Sequence, residues 1–157
     1  MATNCGSILG VDLTDTPTTS DRGIALGQRA EGTDNSLWVF TKASTAITQY
    51  DTVAIDEDFN ILPITTTLAR TGMAVGFAQV AFVDNDYGWV ALKGTNIRAR
   101  GAAACAPDIA LYTSAVAGVL DDAATTTLEL IRGVVFVTTA SATNAEIIAT
   151  WPQVSAP

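Results

Sequence analysis
The sequence predicts an all-β protein: a small antiparallel β-barrel or sandwich with an internal two-fold repeat and an extended N-terminal arm. Short apolar runs recur from Ile24 onward between clusters of Gly, Asn and Asp. They are spaced about ten residues apart, the rhythm of sandwiches and barrels. Threonine is abundant, 23 of 157 residues, and β-branched side chains fit a pleated surface better than a helix. The chain also echoes itself, since residues 51–92 can be laid on 108–149 at an offset of about 57.

The first 23 residues, MATNCGSILGVDLTDTPTTSDRG, mix small and polar types with Pro17 and hold one short apolar run, Ile8 to Val11. They read as the arm, which leaves 24–157 as a single β domain. The predicted strands are Ile24 to Gln28, Ser36 to Lys42, Asp51 to Ile55, Ile61 to Thr65, Gly76 to Val83 and Trp89 to Lys93. Asn96 to Arg100, Ile109 to Tyr112, Gly118 to Leu120, Leu128 to Thr138 and Ala145 to Trp151 complete the set. In SLWVFTK, Leu37, Val39 and Thr41 oppose Trp38, Phe40 and Lys42, so both faces carry bulk and both are predicted to be covered, which points to a subunit contact.

Each copy of the repeat reads as strand, tight turn, strand, loop, long strand, turn, strand. YDTVAIDEDFNILPI lies on PDIALYTSAVAGVL, VGFAQVAF on RGVVFVTT, and GWVAL on AEIIA. Asn60 falls within one position of Gly118, two residue types that tolerate the left-handed backbone of a short hairpin. Gly76 falls opposite Gly133, where a bulge or close backbone approach is the natural reading. The acidic stretch DNDYG, with Asp84, Asp86 and a Gly88 able to take positive φ, corresponds to TTASATN, which has no acid. What the copies share is turn-forming ability, so the segment is predicted to be a hairpin and not a Ca²⁺ or Mg²⁺ site.

Composition narrows the function. Charged residues are 15% against 48% hydrophobic, and mean hydropathy is +0.31. That leaves few charges for an exposed surface, so part of it is predicted to lie under other subunits. Eight Lys and Arg against sixteen Asp and Glu supply no basic stripe, which argues against nucleic acid. No apolar run approaches the length of about 18 residues that a membrane span needs, and no charged start precedes one, so the sequence reads as made in the cytoplasm without a membrane partner. With no histidine, Ser-His and Cys-His activation and the usual zinc sites fall away. Cys5 and Cys105 read as two reduced thiols, a disulfide being the alternative.

Phosphate-cradling glycine motifs are absent from the sequence. The acidic runs Asp56, Glu57, Asp58 and Asp121, Asp122 sit beside predicted hairpins as turn residues. No catalytic residue, cofactor or metal is assigned. Partner contact is assigned to Ile8, Leu9 and Val11 in the arm, to Trp38 and Phe40, and to Arg98 and Arg100, which share a strand face and suit carboxylates of a partner.

The stretch KASTAITQYDTVAIDEDFNILPITTTLARTGMAVGFAQVAFVDNDYGWVALKG and its echo APDIALYTSAVAGVLDD resemble the head-decoration, or capsid cement, proteins of tailed bacteriophages. The likeness covers roughly residues 24–151 and is a pattern of small strands and turns. It implies a non-enzymatic protein made in the host cytoplasm and carried on the outer capsid surface of the virion. Its partners would be the major capsid protein and further copies of itself, a trimer being the common form. A long arm suits that role because it can add a strand to a neighbour's sheet edge. Two other readings stay open: a receptor- or glycan-binding virion module using Trp38, Trp89 and nearby carboxylates, and a β-barrel hydrolase using Asp84.

Overall fold
The computed structural model describes residues 10–32, 34–125, 127–140 and 144–155. The regular structure of the described chain is nearly all β, 43% strand against 3% helix, built as a closed five-stranded barrel with further strands outside it. The barrel consists of β2 (Leu37–Ala43), β3 (Thr52–Ile55), β4 (Asn60–Pro63), β5 (Ala74–Phe77) and the first half of β6 (Tyr87–Ala99). β3 forms antiparallel ladders with β4 and β5, and β5 meets β6 at Phe77↔Ala91. β6 then pairs with β2 from Tyr87↔Lys42 to Lys93↔Leu37, and the end of β2 runs parallel to β4 at Lys42↔Asn60, which closes the ring. Closure removes the unpaired edges of these strands. β1 (Arg29–Glu31) is added to the outside of β2.

β6 is long enough to serve two sheets. Beyond Lys93 it leaves β2 and pairs with β10 (Ala145–Val154), which pairs with β9 (Leu130–Phe136). β9 pairs with β7 (Leu111–Thr113), β7 forms a hairpin with β8 (Leu120–Asp121), and a parallel bridge joins Leu120 to Gly101.

Period-two alternation sorts the side chains into two cores. Val39, Val53, Ile55, Ile61, Val90 and Leu92 point into the barrel with Ile47 and Phe82. Trp38, Phe40, Phe77 and Trp89 point outward and join Ile97, Leu111, Phe136 and Ile147 of the outer strands in the larger cluster. Burying a side chain such as Phe77, which is fully enclosed, stabilises the fold by about 1.5–3 kcal/mol. Gly76 faces inward, where a methyl group would lie 2.6 Å from Val90 Cγ1, so the narrow barrel requires its small size.

Several expected elements differ. Residues 24–28 form turns, with Gly23 and Gly27 at φ 75 and 79, and the strand begins at Arg29. The two strands expected at 89–93 and 96–100 are one, because the chain changes partner at Gly94 without turning back. β5 stops at Phe77, and residues 78–86 form a loop anchored by the Ile47↔Phe82 bridge. In the β3–β4 hairpin Phe59, not Asn60, takes the left-handed backbone (φ 61), matching Gly118 (φ 77) between β7 and β8. A short helix, α1 (Thr66–Ala69), was not expected; Thr65 caps it by accepting from Leu68 N at 3.2 Å.

The described part of the N-terminal segment lies against the barrel. Thr18 and Tyr87 exchange two backbone hydrogen bonds, of 3.1 and 2.7 Å, and Val11, Leu13 and Ile24 pack on the larger core. Both faces of β2 are therefore covered by the chain itself: the inner by the barrel, and the outer by this segment and the core it joins.

Candidate functional site
The residues assigned to partner contact divide into three groups. Ile8 and Leu9 lie outside the described residues. Val11 is half-buried on the core. Trp38 and Phe40 are buried, 7% and 4% exposed, which corrects their assignment to a subunit contact. Phe40 meets Trp89 edge to face at 5.2 Å between ring centres, and Trp38 Nε1 donates to Ser36 Oγ at 2.7 Å. The Ser36 hydroxyl in turn donates to Asp34 and holds that carboxyl below its ordinary range. Trp89 is buried too, so neither indole of the glycan reading is offered to a ligand.

The arginines do not act as a pair. Arg98 is exposed and donates from Nη1 to Asn144 Oδ1 at 2.6 Å, while its backbone exchanges hydrogen bonds with the Gln79 amide. Arg100 reaches back to Asp51, Nη1 to Oδ1 at 2.6 Å, with the carboxylate almost wholly buried. That internal ion pair, not a partner's carboxylate, occupies the Arg100 guanidinium and corrects its assignment.

The acidic clusters serve the backbone. Asp86 is buried and accepts from Val83 N at 3.0 Å, closing a turn in which Asn85 has φ 69, while Asp84 is exposed. Gly88 does not take the positive φ expected of it; it is needed because a methyl group there would lie 2.8 Å from Phe82 Cε1. Asp56 Oδ1 accepts from Asp58 N and Asn60 N, at 2.9 and 2.8 Å. Cys105, Asp121 and Asp122 bring three potential ligand atoms within 4.8 Å of one another. Both carboxylates, however, already accept backbone N–H groups, Asp121 from Ala123 and Asp122 from Ala106. Burial pushes the Cys105 thiol above its ordinary value, and the neighbouring Asp122 and Asp121 charges add to the rise. The trio locks turns around a protonated thiol.

Two apolar features remain. On the outer strands, Ala110, Leu130, Val135 and Ile148, together with Arg132 and Thr150, line an open and mostly apolar depression of about 320 Å³. Ile148 pairs with Val135 across β10 and β9 and is 38% exposed. Exposed Ile109 and Val137 belong to adjoining segments, tied by the Asp108 N–H to Phe136 carbonyl bond. The second feature is a cavity of about 440 Å³ at one end of the barrel, roofed by Phe59 and Trp151. Sequence reasoning missed both. The alternation that marks the buried side of β9 and β10 was legible, but nothing marked their outer side as uncovered.

No protein-family model and no curated protein matches this chain.

Proposed function
We propose that this chain is a structural protein of a bacteriophage virion that decorates the outer capsid surface, binds the major capsid protein and bridges neighbouring capsomers as a homo-oligomer. The observation that supports this reading most is the apolar outer face of β9 and β10. The barrel and the outer cluster complete their cores without Ile148, Val135 and Val137; Ile148 and Val137 are exposed, and Val135, half-buried, pairs with Ile148. Contiguous exposed apolar patches of this kind mark protein contacts. An interface of about 800 Å² per partner suffices for specific binding, and repeated weak contacts reinforce one another through effective concentration. The hydrogen-bonding of Asp56, Asp86, Asp121 and Asp122 to turn backbone fits a binding role, since it fixes loops.

The test is an Ile148→Glu substitution. Because Ile148 is exposed, the melting temperature should stay within a few degrees. Self-association in sedimentation velocity should be lost, and particles supplied with the variant should release DNA at the same temperature as particles lacking the protein. Unchanged self-association and full protection of particles would refute the reading.

A further inference from the structure
The two ends of the barrel are unlike. At one, Phe82 and Ile47 pair in the isolated bridge and both fill the interior. At the other, where β2, β4 and β5 begin and β3 finishes, the interior residues Val39, Ile55 and Leu92 form the floor of the cavity of about 440 Å³. That size lies within the range of small-ligand sites, and a mostly apolar wall with few polar groups is their usual chemistry.

Trp151 is held over this mouth by an unusual backbone. It has φ 57, in a stretch where the β10–β9 register shifts between Ala149 and Gln153. A left-handed conformation is costly for a bulky residue, and bulges recur where a strand must re-aim a side chain. The outcome is an indole 49% exposed beside Phe59, also partly exposed, on opposite sequence elements of one opening.

The charge around the mouth runs against that of the molecule. The chain carries a net charge of −8, yet no Asp or Glu lines this cavity and Arg29 does. Among the described residues the Arg29 guanidinium has no hydrogen bond or ion pair. The Lys93 ammonium lies 5.4 Å from the centre of the Trp151 ring; Lys93 and Glu31 both line an adjoining depression with Arg29 and Trp151, and neither lines the mouth itself.

We propose that the barrel mouth is a binding site for a small amphiphilic carboxylate. Its apolar part rests on Val39, Ile55 and Leu92 between Phe59 and Trp151, and its carboxylate accepts from the Arg29 fork, with Lys93 nearby. The site is separate from the β9–β10 face, and its occupancy does not depend on the virion reading.

Calorimetric titration of the full chain with decanoate and with decanol tests this. Saturable binding of one equivalent is expected, with decanoate about tenfold tighter than decanol. Arg29→Gln should abolish that preference by bringing decanoate down to the affinity of decanol. Trp151→Ala should weaken both ligands, with circular dichroism confirming an intact fold. Absence of saturable binding, equal affinity for the two probes, or an undiminished preference in Arg29→Gln would overturn the proposal. So would tighter binding of a short peptide ending in a free leucine carboxylate, which would make the mouth a reader of chain termini instead.

Discussion

Asp51 and Arg100 join the barrel to the outer strands through one ion pair, Nη1 to Oδ1 at 2.6 Å, beside Gly118. Asp51 immediately precedes β3 and also accepts from Thr48 N at 2.9 Å, while Arg100 follows β6 directly. Backbone bonds flank the pair, from Arg100 N to Tyr50 O and from Thr52 N to Gly118 O, each 2.8 Å. The Asp51 side chain is 4% exposed and that of Arg100 24%, so removing the guanidinium strands a carboxylate away from water.

Arg100→Met is therefore expected to destabilise the fold by about 3 kcal/mol, the lower end for a broken buried pair because Arg100 keeps some solvent. Adding Asp51→Asn should recover part of the loss, since the uncompensated charge is then gone. Urea unfolding of the single and double variants measures both effects.

Thr52, the next residue, carries the opposite kind of fault. Its hydroxyl is fully buried and has no hydrogen-bond partner among the described residues. Thr52→Val keeps the shape and removes the unsatisfied group, so it should stabilise the protein by about 1 kcal/mol, read as a higher urea midpoint at constant slope. A loss of stability would show that the hydroxyl is satisfied in solution.

Cys105 predicts an alkaline sensitivity. Burial places its folded pKa above the ordinary 9.0. The native state then holds the proton more tightly than the unfolded state, so the contribution is intact below the unfolded pKa and is lost as pH rises through the folded one. Stability should decline more steeply above about pH 9 in the parent than in Cys105→Ala, whose unfolding midpoint should have a flatter alkaline limb. In a Cys5→Ser background, Cys105 should resist thiol reagents at pH 8 until the chain is unfolded.

Most strands were legible because apolar alternation and turn residues are local signals. β2, β3, β4 and β10 begin within one residue of the expected positions. The fusion of two expected strands into β6 was not legible, because Lys93-Gly94-Thr95 reads locally as a turn and only its change of partner keeps it extended. Bulk on both sides of SLWVFTK signalled correctly that both faces are covered, but it does not say by what. The cover lies partly in Val11, Leu13 and Ile24, scattered through irregular chain with no period to mark them. The barrel mouth was hidden for a related reason: Trp151 belongs to it through a backbone turn-out, and strand alternation cannot foresee which side that turn selects.

Electron cryomicroscopy of phage particles assembled with this protein tests the proposed capsid role most directly. Many copies are expected on the outer shell, with the β9–β10 face around Ile148 and Val135 pressed against a neighbouring subunit or the capsid surface. Particles showing that face turned to solvent, or holding the chain in only a few copies away from the shell, would contradict it.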